Sequence, residues 1–214
     1  MSDPAELTPE LLLYTYSQGI FPMGHDDGEI YWYDPDPRAI IPLDENFHVP
    51  RSLARRIRQG GFEVRVDSAF RAVITACAEP GEDREHTWIT PAIIDVYCEL
   101  HQWGYAHSVE TWIDGELVGG LYGVTVGGLF AGESMFSRAT DSSKIALVHL
   151  VERLRAGGFT LLDTQFMTEH LRRFGATEIP RAEYQQRLRH ALGTATHFAA
   201  GPVASFANPS ASEG

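Results

Sequence analysis

The segment GESMFSRATDSSKIAL, residues 132–147, followed by LLDTQF at 161–166, constrains the fold more than any other stretch. It reads as a strand, a polar turn, a helix and a second strand. Strands joined through a helical crossover pair in parallel when they land side by side. Glu133, Asp163 and Gln165 then fall on neighbouring strands. A carboxylate on a strand must be met by water or by partners, because an isolated buried charge is expensive. The pattern therefore predicts a single polar cleft at this strand pair.

With 214 residues, 43% hydrophobic and 21% charged, the chain can bury one sizeable core and carry an added lobe. No apolar run approaches the roughly 20 residues of a membrane span. MSDPAELTPE lacks a basic, then apolar, secretory signal. Cys77 and Cys98 fall in helix-like segments and read as buried reduced thiols, which suits the cytoplasm. A net charge of −12 argues against bulk nucleic-acid binding but permits a local basic patch. RSLARRIRQGG supplies one candidate in Arg51, Arg55, Arg56 and Arg58. His25-Asp26-Asp27 and the pair His101, His107 lack zinc-ligand spacing, so no metal is expected.

Thr8-Pro9 and Thr90-Pro91 each combine a hydroxyl N-cap with proline in the first turn, marking helix starts. The residues 20–43 read as loop with short extended pieces. FEVRV is a strand, after which Asp67 is expected to cap a helix. HSVETWI, Asp114-Gly115 and ELVGGLYGVTV form a hairpin, and Gly127-Gly128 turns into LFAGESMF. The glycines at 119, 120 and 123 mark bulges or close backbone approach, to a ligand among other things. The expected class is α/β (α+β), with a mixed, mainly antiparallel sheet. Its helix–strand–hairpin–strand–helix–strand order suits a GNAT-like acyltransferase domain over 62–192. A small lobe precedes it over 1–61, and an aperiodic tail, 193–214, is expected to be flexible.

Nine segments in order resemble the leucyl/phenylalanyl-tRNA–protein transferase family: YSQGIFP, DPDPRAIIP, TWIT, AHSVETW, LVGGLYGV, GESMFSR, SSKIALV, LLDTQ and HLRRFGATEIPR. They cover most of residues 11–190. The resemblance implies an aminoacyltransferase that moves Leu, Phe or Met from aminoacyl-tRNA to the N-terminal amine of proteins beginning with Arg or Lys. It implies no cofactor, and marking of the product for degradation. The expected partners are the tRNA 3′ end with its acceptor stem and the acceptor protein, with no membrane, and the chain is expected to be a monomer.

Resemblance also places Asp163 and Gln165 at the reaction centre. An ionised Asp163 only accepts hydrogen bonds and can orient Gln165 or the amine. An amide oxygen is too weakly basic to take a proton, so positioning is favoured. The alternatives of a polarised Gln165 base and a ribose hydroxyl shuttle stand beside it. Glu133 is expected to face the acceptor's ammonium or basic side chain, unless Arg138 or Lys144 pairs with it. The aminoacyl pocket is expected from Leu121, Phe130, Met135, Leu150, Leu154 and Leu162. Trp32, Tyr33, Trp88 and Met23 are expected to meet the tRNA 3′ end, because unpaired bases stack on aromatic and apolar surface. Arg38, Arg51, Arg55 and Arg56 are expected on phosphates, and the helix start at Ser142, Ser143 and Lys144 as an anion site. Asp163→Ala is expected to abolish transfer with little loss of fold. Two rival readings remain: an acyl-CoA N-acetyltransferase, for which ATDSSK lacks the glycine-rich loop, and a tRNA-binding module without turnover.

Overall fold

The computed structural model describes residues 7–25, 27–80 and 87–198. In chain order the elements are α1 (Pro9–Ser17), β1 (Phe21–Gly24), β2 (Ile30–Tyr33), β3 (Arg38–Ile41), α2 (Arg51–Gln59), β4 (Glu63–Val66), α3 (Phe70–Ala78) and α4 (Pro91–Gln102). Then follow β5 (Ala106–Ile113), β6 (Glu116–Val126), β7 (Leu129–Ser137), α5 (Ser142–Ala156), β8 (Leu161–Gln165), α6 (Glu169–Arg172), β9 (Thr177–Ile179) and α7 (Arg181–Leu192).

Thr8 and Thr90 accept from the Leu11 and Ile93 amides, as their helix-start pattern predicts. Asp67 does not cap α3. Its carboxylate is taken by the Ser108 amide and the His107 ring, and Glu110 from β5 receives the Ala69 amide instead. A tertiary carboxylate has replaced a local one.

Seven strands form one sheet in the order β4-β5-β6-β7-β8-β3-β9, while β1 and β2 pair separately. β4 to β7 are an antiparallel meander, and β7 and β8 pair in parallel. β3 lies between β8 and β9, so the sheet draws on residues from both sides of Gly60-Gly61. Successive residues of β6 serve opposite faces. Leu121 joins the core around α5 and α2, whereas Tyr122 and Val124 join the core around α1, α3 and α4. A third cluster seats α7 against Leu129 and Leu161.

The glycines of β6 serve packing rather than a ligand. A Cβ at Gly119 would strike the Ser142 side chain, and one at Gly123 would strike the Phe130 ring and the Ala131 carbonyl. The start of the expected flexible tail is docked: the His197 amide donates to Gly157, and Phe198 stacks on His107 at 4.2 Å. The rest of that tail, 199–214, lies outside the described residues, as do 1–6, Asp26 and 81–86 of the polar loop.

Candidate active site

β7 and β8 are in register only from Leu129↔Leu161 to Ala131↔Asp163. Beyond that point the strands separate, and the gap is a cavity of about 520 Å³. Leu121, Met135, Leu147, Leu150, Leu162 and Leu171 give it an apolar wall. Glu133, Ser134, Thr164 and Gln165 give it a polar side, with Phe166 beside them.

Asp163 is fully buried and does not line this cavity. Its carboxylate accepts four hydrogen bonds: Arg38 Nε at 2.9 Å, Arg38 Nη2 at 2.6 Å, the Tyr184 hydroxyl at 2.9 Å and the Gln165 amide at 2.9 Å. Only the ionised, acceptor-only form satisfies all four. Arg38 is 1% exposed. It also donates to the Gly19 carbonyl at 2.8 Å and lies over the Phe21 and Tyr184 rings. Burial works against the guanidinium charge, but the adjacent Asp163 carboxylate outweighs it and raises the pKa. The expected phosphate contact of Arg38 is thereby corrected: the guanidinium has no face left for an anion, and its partner is the buried aspartate.

The bond from Asp163 to the Gln165 amide holds a backbone that glutamine rarely adopts, with φ of +58°. The turn directs the Gln165 carboxamide toward Glu133, with Nε2 to Oε1 at 3.3 Å. Asp163 therefore orients Gln165 through its main chain rather than through its side chain.

Glu133 pairs with neither Arg138 nor Lys144, which are bound to Glu79 and Asp141. Its partners are Gln165, the Tyr97 hydroxyl at 3.4 Å and the Tyr16 hydroxyl, and the two tyrosines bond each other. Burial pushes the Glu133 carboxyl up to about 8, and the nearby Asp163 charge adds to this. Burial likewise raises both tyrosines well above the usual phenol value. Glu133 is thus a half-buried, cavity-lining carboxyl whose pKa is raised above the ordinary carboxylate value.

Of the expected pocket residues, Leu121, Met135, Leu150 and Leu162 line the cavity, whereas Phe130 and Leu154 do not. Leu154 is wholly buried one turn past Leu150, and Phe130 stacks on Phe198 at 5.8 Å. Leu147, Leu171, Thr168 and His170 were missed. Leu147 could have been found, because it lies one turn before Leu150 on α5. The α6 residues carry no sequence signal, because they reach the cavity only through the fold.

Ser142 is buried and spends its hydroxyl on the Val118 and Ala139 carbonyls, each at 2.8 Å, so it is withdrawn from the expected anion site. Lys144 pairs with Asp141 at 2.6 Å, and Ser143 lines the cavity. Trp32 is 39% exposed, and Tyr33 stacks on Phe21 at 5.9 Å. Met23 and Trp88 are half-buried against the α1–α4 core. Arg51 and Arg55 are exposed, and Arg56 donates to the Gly60 carbonyl. Among the described residues no cluster of three or more His, Cys, Asp or Glu could hold a metal ion, and no helix is long and apolar enough to cross a membrane.

Two family models match in succession. Residues 5–36 match the leucyl/phenylalanyl-tRNA protein transferase N-terminal domain, and residues 40–189 match leucyl/phenylalanyl-tRNA protein transferase. A protein of that name from Herpetosiphon aurantiacus is 64% identical over 192 residues, covering 90% of this chain and 98% of the relative. Another, from Salinibacter ruber, is 60% identical over 190 residues, covering 88% and 82%. Among solved structures, the C-terminal domain of a putative lysylphosphatidylglycerol synthetase from Agrobacterium fabrum aligns with a TM-score of 0.39 at 13% identity. It covers 88% of this chain and 60% of that one. The matched segments and the identity over nine-tenths of the chain place it in one family: this chain belongs to the leucyl/phenylalanyl-tRNA–protein transferases.

Proposed function

We propose that this protein transfers leucine or phenylalanine, and methionine as a further substrate, from aminoacyl-tRNA to the N-terminal amine of proteins beginning with Arg or Lys. The product would thereby be marked for degradation. One observation carries the reading: the Glu133–Gln165 pair stands on the polar side of a cavity whose other wall is leucine and methionine. An apolar side chain fits that wall, and an ammonium fits that carboxyl. Methionine at 135 is adaptable, which suits a pocket for both branched and aromatic guests.

Aminolysis of the ester forms a C–N bond, breaks a C–O bond and returns a proton to the terminal ribose oxygen. The attacking group must first lose a proton. An N-terminal amine has a pKa of about 7.7–8.0, and Glu133, its carboxyl raised by burial above the ordinary carboxylate value, is the carboxyl on the polar wall that can meet it. Glu133 receives the ammonium, Gln165 orients it, and Asp163 keeps Gln165 in place without touching substrate. The terminal ribose hydroxyl remains the route by which the proton reaches the leaving oxygen.

In the same reading the 1–61 lobe and the 62–192 domain share the tRNA. Trp32, Tyr33, Trp88 and Met23 receive the unpaired 3′ end, and Arg51, Arg55 and Arg56 face acceptor-stem phosphates. Ser143 and Lys144 lie where the helix start of α5 borders the cavity. We place the enzyme in the cytoplasm as a monomer that needs no cofactor.

The test is direct. Folded protein is incubated with labelled leucyl-tRNA and a substrate protein beginning with arginine. Label appears at the new N-terminus, and label no higher than in a buffer control ends the reading.

A further inference from the structure

Most cations of this acidic chain are already engaged. Arg38, Arg65, Arg71, Arg138, Lys144, Arg181 and Arg187 hold carboxylates, and Arg56 and Arg155 hold main-chain carbonyls. Among the described residues, Arg51, Arg55, Arg58, Arg173 and Arg189 have neither ion pair nor hydrogen bond. Arg172 has only a loose, exposed contact with Glu169 at 3.8 Å.

Apart from Arg189 on α7, these unmatched groups are not scattered. The His48 amide donates to the Phe174 carbonyl at 3.0 Å, and Phe47 stacks on Phe174 at 5.9 Å. Gly175 sits so close to the Asn46 carbonyl that a Cβ would collide with it. The end of α6 and the start of α2 therefore lie on either side of one backbone contact. On one side are Arg172 and Arg173, and on the other is the run that begins at Arg51. At the other end of α6, His170 lines the cavity. The track leads from the cavity, over α6 and across the 46–48 loop, onto α2. The exposed acids along it are Glu169 on α6, Asp44, whose carboxylate is tied to Asn46, and Glu45.

A positive track in a chain of net charge −12 attracts a polyanion rather than a protein of ordinary composition. We propose that Arg172 and Arg173 hold acceptor-stem phosphates of the aminoacyl-tRNA between the cavity and α2, so that the stem crosses the 46–48 loop. This rests on the transferase reading above, and it adds a second anchor to the arginines of α2.

The experiment compares wild type, Arg172→Ala/Arg173→Ala and Arg189→Ala, all as full chains checked for unchanged thermal melting. Two leucyl donors are used: leucyl-tRNA and 3′-O-leucyladenosine, which has no phosphates. For the double variant KM for leucyl-tRNA should rise about tenfold at physiological salt. The slope of log affinity for tRNA against log salt should shrink by about 1.5–2. Turnover with leucyladenosine and KM for the acceptor should not move, and Arg189→Ala should match wild type. The proposal is overturned if KM and salt slope stay within twofold of wild type, or if leucyladenosine turnover falls equally. A shift in acceptor KM instead, or the same loss in Arg189→Ala, also overturns it. If wild type transfers leucine from neither donor, the transferase reading itself fails and takes this surface with it.

Discussion

Two carboxyl groups serve the same site, and their surroundings give them opposite jobs. Asp163 lies under the β8 end with a bidentate arginine, a tyrosine and a main-chain amide around it. Glu133 lies on the diverging half of β7 with two tyrosines, a carboxamide and the cavity. The first is a fixed charge whose partners consume every lone pair. The second has no cation and is pushed toward the neutral acid. The difference teaches that the fully partnered carboxylate builds the site, while the one without a cation is free to meet substrate.

The strongest way to break this contrast is Asp163→Ala. It would leave the buried Arg38 guanidinium without its carboxylate partner, keeping the Gly19 carbonyl and a loose contact to Asp34 at 4.0 Å, which costs on the order of 3 kcal/mol. The expected outcome is loss of transfer together with a clear loss of stability in chemical denaturation. This differs from the expectation of little loss of fold, because Asp163 is the buried partner of Arg38. A variant that stays stable yet inactive would make Asp163 a substrate contact after all.

Glu133→Gln should leave the fold intact and lower the transfer rate by about 10²–10⁴. Its stability signature has a definite sign. The Glu133 value is raised from 4.5 to about 8, so its contribution is fully present below pH 4.5 and is lost as pH rises through about 8. Glutamine has nothing to ionise, so the variant should gain on wild type between pH 5 and pH 9 in thermal melting. An unchanging difference across that range would contradict the raised carboxyl.

A smaller effect sharpens the apolar side. Leu147→Ala widens the wall and should shift the ratio of phenylalanine to leucine transfer by about tenfold, within the 1–3 kcal/mol that a few methylenes supply. Competition between the two charged tRNAs measures it, and an unaltered ratio removes Leu147 from the aminoacyl wall. The smallest effect belongs to Arg55→Ala. It should weaken tRNA binding a few-fold and reduce the salt slope by about 1, with no change once tRNA is saturating.

Local signals in the sequence carried far. The β7–α5–β8 unit, the Asp114-Gly115 hairpin and the two threonine caps follow from propensities and spacing that act within a few residues. Four of the apolar wall residues, Leu121, Met135, Leu150 and Leu162, followed from the resemblance. What the residues could not disclose was who meets whom across the chain. Arg38 and Asp163 are 125 residues apart, and nothing local marks Arg38 as a buried partner rather than a surface cation. Leu154 sits on the inward stripe of α5 just as Leu150 does. The splay of β7 from β8 opens only the stretch beside Leu147 and Leu150. α6 reaches the cavity because its flanking strands, β8 and β9, both pair with the distant β3, a consequence of topology that no window of sequence contains.

The most direct test of the contrast between the two carboxyls is a carbon-13 NMR titration of the Glu133 side-chain carboxyl, assigned by its absence in Glu133→Gln. The account predicts a midpoint near 8 in the free protein that falls below 6 when a peptide beginning with arginine binds, because the ammonium favours the carboxylate. A midpoint of 4–5 in the free protein, or one indifferent to the peptide, would contradict it.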